Sequence, residues 1–179
     1  MKRSPRQIFP AMSAPVFATL VVAAVPHTDE HKVWRAAAEH IREAEAEIVS
    51  DPRPLPILAR TSFPKFPNAV SQLSKAAESG FCGLNPGEAE ELVRKLVTLN
   101  SKETSTRSIF KNDSLFRLTN TRPKVGDHLG ISRVVFSEDR QTAYLNLDIG
   151  GMAGAIIKMR LEKKEWRYDV GCAEWVSWE

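Results

Sequence analysis

Histidines, two cysteines and a charged row near the C-terminus are where this 179-residue chain can do chemistry. His27 and His31 stand four apart with Asp29 and Glu30 between them. On a helix that spacing can aim two imidazoles at one metal ion. The order differs from the His-Glu-x-x-His of zinc proteases, and the pair sits where a helical pattern begins. The expectation is an exposed helix start and no metal site. His40 lies on the same helix but another face, and His128 follows Asp127. Neither has a partner visible in the sequence. Cys82, within Gly80-Phe81-Cys82-Gly83, has no neighbouring base to make it a nucleophile. Cys82 and Cys172 can join in one disulfide if the compartment is oxidising, or stay as two buried thiols.

The Gly150-Gly151-Met152-Ala153-Gly154 run is glycine-rich but joins strand to strand. Phosphate loops instead present backbone amides at a helix start, so the run reads as a tight connection. The chain lacks Gly-x-Ser-x-Gly, a P-loop and a dinucleotide fingerprint. No catalytic residue and no cofactor are expected. The remaining candidates are charged positions on late strands. Arg133, Asn146, Lys158 and Asp169 form one row, and Tyr144, Arg160 and Arg167 a neighbouring one. Arg133, Tyr144, Lys158, Arg160 and Asp169 are the residues that can meet an anion or a carboxylate. The plainer reading is a solvated sheet face with cross-strand ion pairs such as Lys158–Asp169, each contributing under about 1 kcal/mol.

The elements that must position these residues follow from periodicity. From Asp29, apolar residues Val33, Ala37, Ile41, Ala44 and Ile48 recur at helical spacing until Asp51-Pro52. Ile57 to Thr61 reads as a short strand, and Ser62 to Asn68 as a loop that anchors Phe63 and Phe66. A second helix is expected over Ala69 to Glu78, ended by Gly80. Asn85-Pro86 opens a third, with Asn as cap and Pro in the first turn. Four strands follow: Ile131 to Ser137, Thr142 to Ile149, Gly154 to Glu162 and Glu165 to Val176. Alternation puts Val134, Leu145, Ile157, Tyr168, Val170 and Cys172 on one core face. A turn at Lys163-Lys164 pairs Leu161 with Trp166 and Ile157 with Val170. The glycine connection pairs Asn146 with Lys158, and the preceding turn pairs Val134 with Leu145. The expected fold is α+β, with N-terminal helices packed on a C-terminal four-stranded antiparallel β-meander. The helical part covers about 28–116 and the meander about 131–177.

Residues 1–24 read as a secretory signal peptide, and 25–179 as one domain. Lys2, Arg3 and Arg6 precede an apolar stretch ending in Val22-Ala23-Ala24. Prolines interrupt that stretch, which argues against a stable membrane anchor after cleavage. The charge of +3 belongs to this leader: removing its three basic residues from 25 leaves 22, against 22 acidic. No overall charge therefore favours nucleic acid, and none is expected as partner. Within the mature chain, an acidic first helix and a basic 94–124 segment suggest internal complementarity.

Ile131-Ser132-Arg133-Val134-Val135-Phe136-Ser137, Thr142-Ala143-Tyr144-Leu145, the glycine loop, Arg160 to Trp166 and Trp175-Val176-Ser177 carry a wider pattern. It resembles a loose group of uncharacterised exported bacterial proteins. The first helix, Arg60-Thr61 and Asn100 also fit that group's layout. Such relatives often carry cysteines in the glycine loop, and this chain has none there. The resemblance implies a fold and export, and transfers no catalytic residue. The closing strands are also similar to NTF2-like domains at the level of fold. The expectation is an exported, periplasmic or extracellular, non-catalytic binding or accessory module for a small molecule or protein. A small hydrolase or isomerase with a pocket between helices and sheet is the first alternative, and an anion-binding protein the second.

Overall fold

The structure, a computed structural model, describes residues 27–48, 54–61, 67–120, 128–150 and 152–176. The leader and the loop carrying Phe63 and Phe66 lie outside them. Helix α1 is His27–Ile48, α2 Pro67–Ala77, α3 Pro86–Leu99 and the single turn α4 Arg107–Phe110. The strands are β1 Leu55–Leu58, β2 Phe116–Thr119, β3 Leu129–Ile131, β4 Val135–Phe136, β5 Thr142–Ile149, β6 Ala153–Glu162 and β7 Glu165–Val176. Among the described residues no helix is long and apolar enough to cross a membrane.

The α+β class stands, but the four-stranded antiparallel meander does not. The sheet has seven strands in the order β2-β1-β3-β5-β6-β7, with β4 also paired to β5. It is mixed: β1 runs parallel to both β2 and β3. Helices are not gathered at the N-terminus either, since α2, α3 and α4 follow β1 in the chain. The reason lies in length and distance. β1 and β2 are four residues each, too short for alternation to register, and their pairing crosses nearly sixty residues of chain. No local turn announces such a contact.

The sheet is also covered on both faces. On one, Val33, Trp34 and Ala37 of α1 pack with Ala143, Leu145, Ile157, Met159 and Trp166. On the other, Leu73 of α2 and Leu92 and Leu96 of α3 pack with Tyr144, Ile156, Ala173 and Trp175. The central strand β5 is consequently buried from Ala143 through Asp148, the pattern of a strand between two layers. Sequence alternation had assigned Tyr144 and Asn146 to a wet face. Helices α2 and α3 cover Tyr144, and Asn146 is buried where it accepts from the Trp175 indole. Helix α3 is held by the expected start: Asn85 accepts from the Glu88 amide, and Glu88 reaches back to the Asn85 amide, a reciprocal cap.

The expected strand Ile131–Ser137 breaks in two. Ile131 opposes Leu147, but Val135 opposes Tyr144, so one extra residue sits between them. Side chains take the backbone groups freed there. Glu30, 3% exposed, accepts from the Val134 amide at 2.9 Å and pairs with the Arg133 guanidinium at 3.3 Å. Asn100, at the end of α3, accepts from the Arg133 amide at 2.8 Å. Trp34 donates to the Ser132 carbonyl, and the Ser132 hydroxyl accepts from the Asn146 amide. This knot ties α1 and α3 to the sheet. Asp29 reinforces it through Arg140 at 2.9 Å. The acids of α1 thus meet Arg133 and Arg140, while Arg35 of α1 pairs with Asp113. These pairs differ from the expected one: Arg133 and Arg140 lie outside the basic 94–124 segment, and the Arg35–Asp113 pair into that segment has the opposite sign.

Candidate functional site

β6 and β7 form the hairpin anticipated from Lys163-Lys164. Both lysines adopt left-handed conformations, φ 49° and 74°, which a two-residue turn matching strand twist requires and which non-glycine residues adopt at a cost. The register opens as expected, Leu161 with Trp166 and Met159 with Tyr168. It then departs. Lys158 pairs with Val170 and Ile157 with Gly171, so Asp169 has no opposite residue; Ile156 pairs with Ala173, so Cys172 has none. These are two bulges on one edge strand. Each reverses the alternation, which explains why the core face expected for Val170 and Cys172 fails. Val170 is 41% exposed, and Tyr168, 37% exposed, lies against the His40 ring.

Asp169 faces the α2–α3 side of the sheet by alternation from Trp166 and Tyr168, and the first bulge turns Cys172 to that same side. Asp169 Oδ2 lies 2.9 Å from Arg160 and 3.4 Å from Lys158. Arg160 is directly opposed by Arg167, itself paired to Glu165 at 3.2 Å. Tyr144 sits beside Lys158 on the next strand, where the sequence had placed Asn146. The glycine connection is tight, with Ile149 opposite Ala153, and this slides the register by two residues. Four of the five candidate residues, Tyr144, Lys158, Arg160 and Asp169, therefore share one corner of the molecule. Arg133 does not join them; its guanidinium turns to Glu30 on the α1 side.

The electrostatics follow from that arrangement. Lys158 and Arg160 share the carboxylate of Asp169, and Arg167, opposite Arg160, pairs with Glu165. The acids Glu162 and Glu165 oppose each other farther toward the turn. Burial raises the Tyr144 phenol above its ordinary pKa, and the carboxylates of Glu88 and Asp169 push the same way. A raised folded value leaves stability whole below the unfolded pKa of about 10 and removes it as pH climbs through the folded one. The chain has two tyrosines, so Tyr168→Phe leaves Tyr144 as the only phenol. Its absorbance titration should have a midpoint above pH 10.0, the ordinary value. A midpoint at or below that value would contradict the burial.

Cys82 and Cys172 form a disulfide, with Cα atoms 5.0 Å apart. It joins the α2–α3 turn to β7 and closes a 90-residue separation, a constraint that typically stabilises a fold by about 2–4 kcal/mol. Elsewhere, His31 stacks on Trp34. Among the described residues no group of three or more His, Cys, Asp or Glu is placed to hold a metal ion. His128 and Asp148, 3% and 1% exposed, are buried at one end of the β3–β5 pair. No local pattern in the chain signals this burial, because β3 pairs with a strand that alternation alone leaves half wet. A groove of about 210 Å³ runs between α2 and α3, lined by Val70, Ser74, Glu90, Val93, Arg94 and Val97. That is smaller than sites for drug-sized ligands usually are.

No protein-family model matches this chain, and comparisons with the curated proteins and with the solved structures find no match either.

Proposed function

We propose that this chain is an exported, non-catalytic binding module that takes an anionic group, carried by a small molecule or by a partner protein. One observation carries the reading: Arg160 faces Arg167 across the hairpin with Lys158 two residue pairs away, and Asp169 is the carboxylate shared by Lys158 and Arg160. Like charges directly opposed on a sheet destabilise it. Arg160 and Arg167 are also 52% and 64% exposed, so solvent and ligands reach both. Asp169 accepts from Arg160 and forms an ion pair with Lys158, orienting both and leaving most of their donors unspent. A carboxylate or phosphate can bind there by charge-assisted hydrogen bonds. The Ser132 hydroxyl, by contrast, is spent on the Arg133 carbonyl and the Asn146 amide.

Export rests on the leader pattern of residues 1–24 and agrees with a disulfide, which persists in oxidising compartments. The resemblance to exported bacterial proteins points the same way. Nucleic acid and a stable membrane anchor have no place in this reading.

Titration of the purified protein with citrate and with inorganic phosphate, followed by amide and side-chain NMR shifts, tests it. Shifts should centre on Lys158, Arg160, Tyr144 and Arg167, weaken with added salt, and fall at least tenfold in affinity in Lys158→Ala/Arg160→Ala. Shifts scattered over the surface, or an unchanged affinity in that variant, would refute the site. Turnover surviving stringent purification would move the chain to the hydrolase or isomerase reading.

A further inference from the structure

We infer that the Cys82–Cys172 disulfide is a redox-sensitive latch on the anion site, opened by a dithiol donor; the inference rests on the binding reading above. Cys172 and Asp169 are the two bulged residues of the same edge strand, three positions apart. Between them lie Val170, 41% exposed, and the exposed Gly171, so this segment has little packing of its own. Asp169 is held by its ion pairs and Cys172 by the disulfide. The far end of the latch is under backbone tension. Cys82 is a non-glycine residue at φ 52°, between Gly80 at 73° and Gly83 at 79°, a conformation that residues with a side chain adopt at a cost. Both cysteines are partly exposed, as attack by a thiolate requires. The same turn leads into the cap of α3, whose Glu88 acts on Tyr144. One bond thus couples both flanks of the site.

The exchange balances without another reactant. One thiolate of the donor attacks a sulfur of the disulfide, the S–S bond breaks, and the other cysteine leaves as a thiolate and takes a proton. The donor's second thiol then displaces the mixed disulfide. The products are two cysteine thiols and an oxidised donor, with two electrons passed to the protein. Reduction frees the Asp169–Cys172 bulges, so the orienting carboxylate no longer holds Lys158 and Arg160 in place. Loss of that preorganisation lowers affinity.

The test compares the oxidised protein, the protein reduced with dithiothreitol, and the Cys82→Ser/Cys172→Ser variant. Each is titrated with citrate, and amide hydrogen exchange is followed in parallel. The reduced and variant proteins should bind citrate at least tenfold more weakly. Their lost protection should be confined to residues 80–84 and 169–172. Equal affinity in oxidised and reduced protein overturns the latch and leaves the binding site standing. No citrate binding by the oxidised protein overturns the binding site itself. Loss of protection across the whole sheet on reduction makes the bond a plain structural brace and also overturns the latch. If the double variant fails to fold, Cys82→Ala alone and the reduced wild type carry the same comparison.

Discussion

Glu30→Ala should cost about 3–5 kcal/mol of folding free energy, because it removes one partner of a buried ion pair. The Glu30 side chain is 4% exposed and that of Arg133 28%. The carboxylate also accepts from the Val134 amide at the break between β3 and β4. With alanine there, that buried amide loses its acceptor and the guanidinium its counter-charge. Both penalties fall on the folded state alone. Glu30→Gln keeps an acceptor for the amide and gives up the charge, so its cost should be smaller, about 1–2 kcal/mol. Urea unfolding monitored by tryptophan fluorescence measures both, since Trp34 donates to Ser132 inside the same knot. A loss below about 1 kcal/mol for the alanine variant would show that the strand break is held by something else.

Gly154→Ala should be comparably damaging for a different reason. Gly154 opposes both Asp148 and Trp175 in the sheet. An added methyl would come within 2.5 Å of the Trp175 ring and would also strike the Leu147 carbonyl oxygen. The oxygen belongs to a central strand, and the ring is 1% exposed, with its indole N–H donating to Asn146 at 2.8 Å. Neither can give way without moving β5 or β7. Overpacking of this kind costs about 1–3 kcal/mol, more where backbone must move, and about 3 kcal/mol is expected. Gly87→Ala is the control, because its methyl would meet only the Asn85 side chain at 3.5 Å. Near-UV circular dichroism should change for the first variant and stay constant for the second. Equal stability of the two would contradict the packing around Trp175.

The parts of this fold that could be read in the chain are those whose cause is local. Asn85-Pro86 and Glu88 made the start of α3 readable because a cap is settled within four residues. The Lys163-Lys164 turn made Leu161–Trp166 and Met159–Tyr168 readable because pairs near a turn inherit its register. Val135–Tyr144 keeps the register that Val134–Leu145 implied. Tyr144, Lys158, Arg160 and Asp169 were named together because three of them alternate on neighbouring strands. Asp169 faces Lys158 and Arg160 as alternation from Trp166 and Tyr168 implies, and the bulge changes only the facing of the residues after it. Arg133 was misplaced because the strand break sends its side chain to Glu30.

The sequence by itself determined the start of α3, the late hairpin, the α+β class and most of the charged corner. Only the tertiary structure decided the parallel pairings of β1, the second buried face, the two bulges of β7, and the coupling of Cys172 to Cys82. The division is physical. Periodicity and caps are fixed by interactions between residues a few positions apart, and they leave a trace in the order of residues. A parallel neighbour, a bulge or a covering helix depends on which distant segment gains most by burying its apolar face there. That gain belongs to the assembled core, and no single stretch of chain records it.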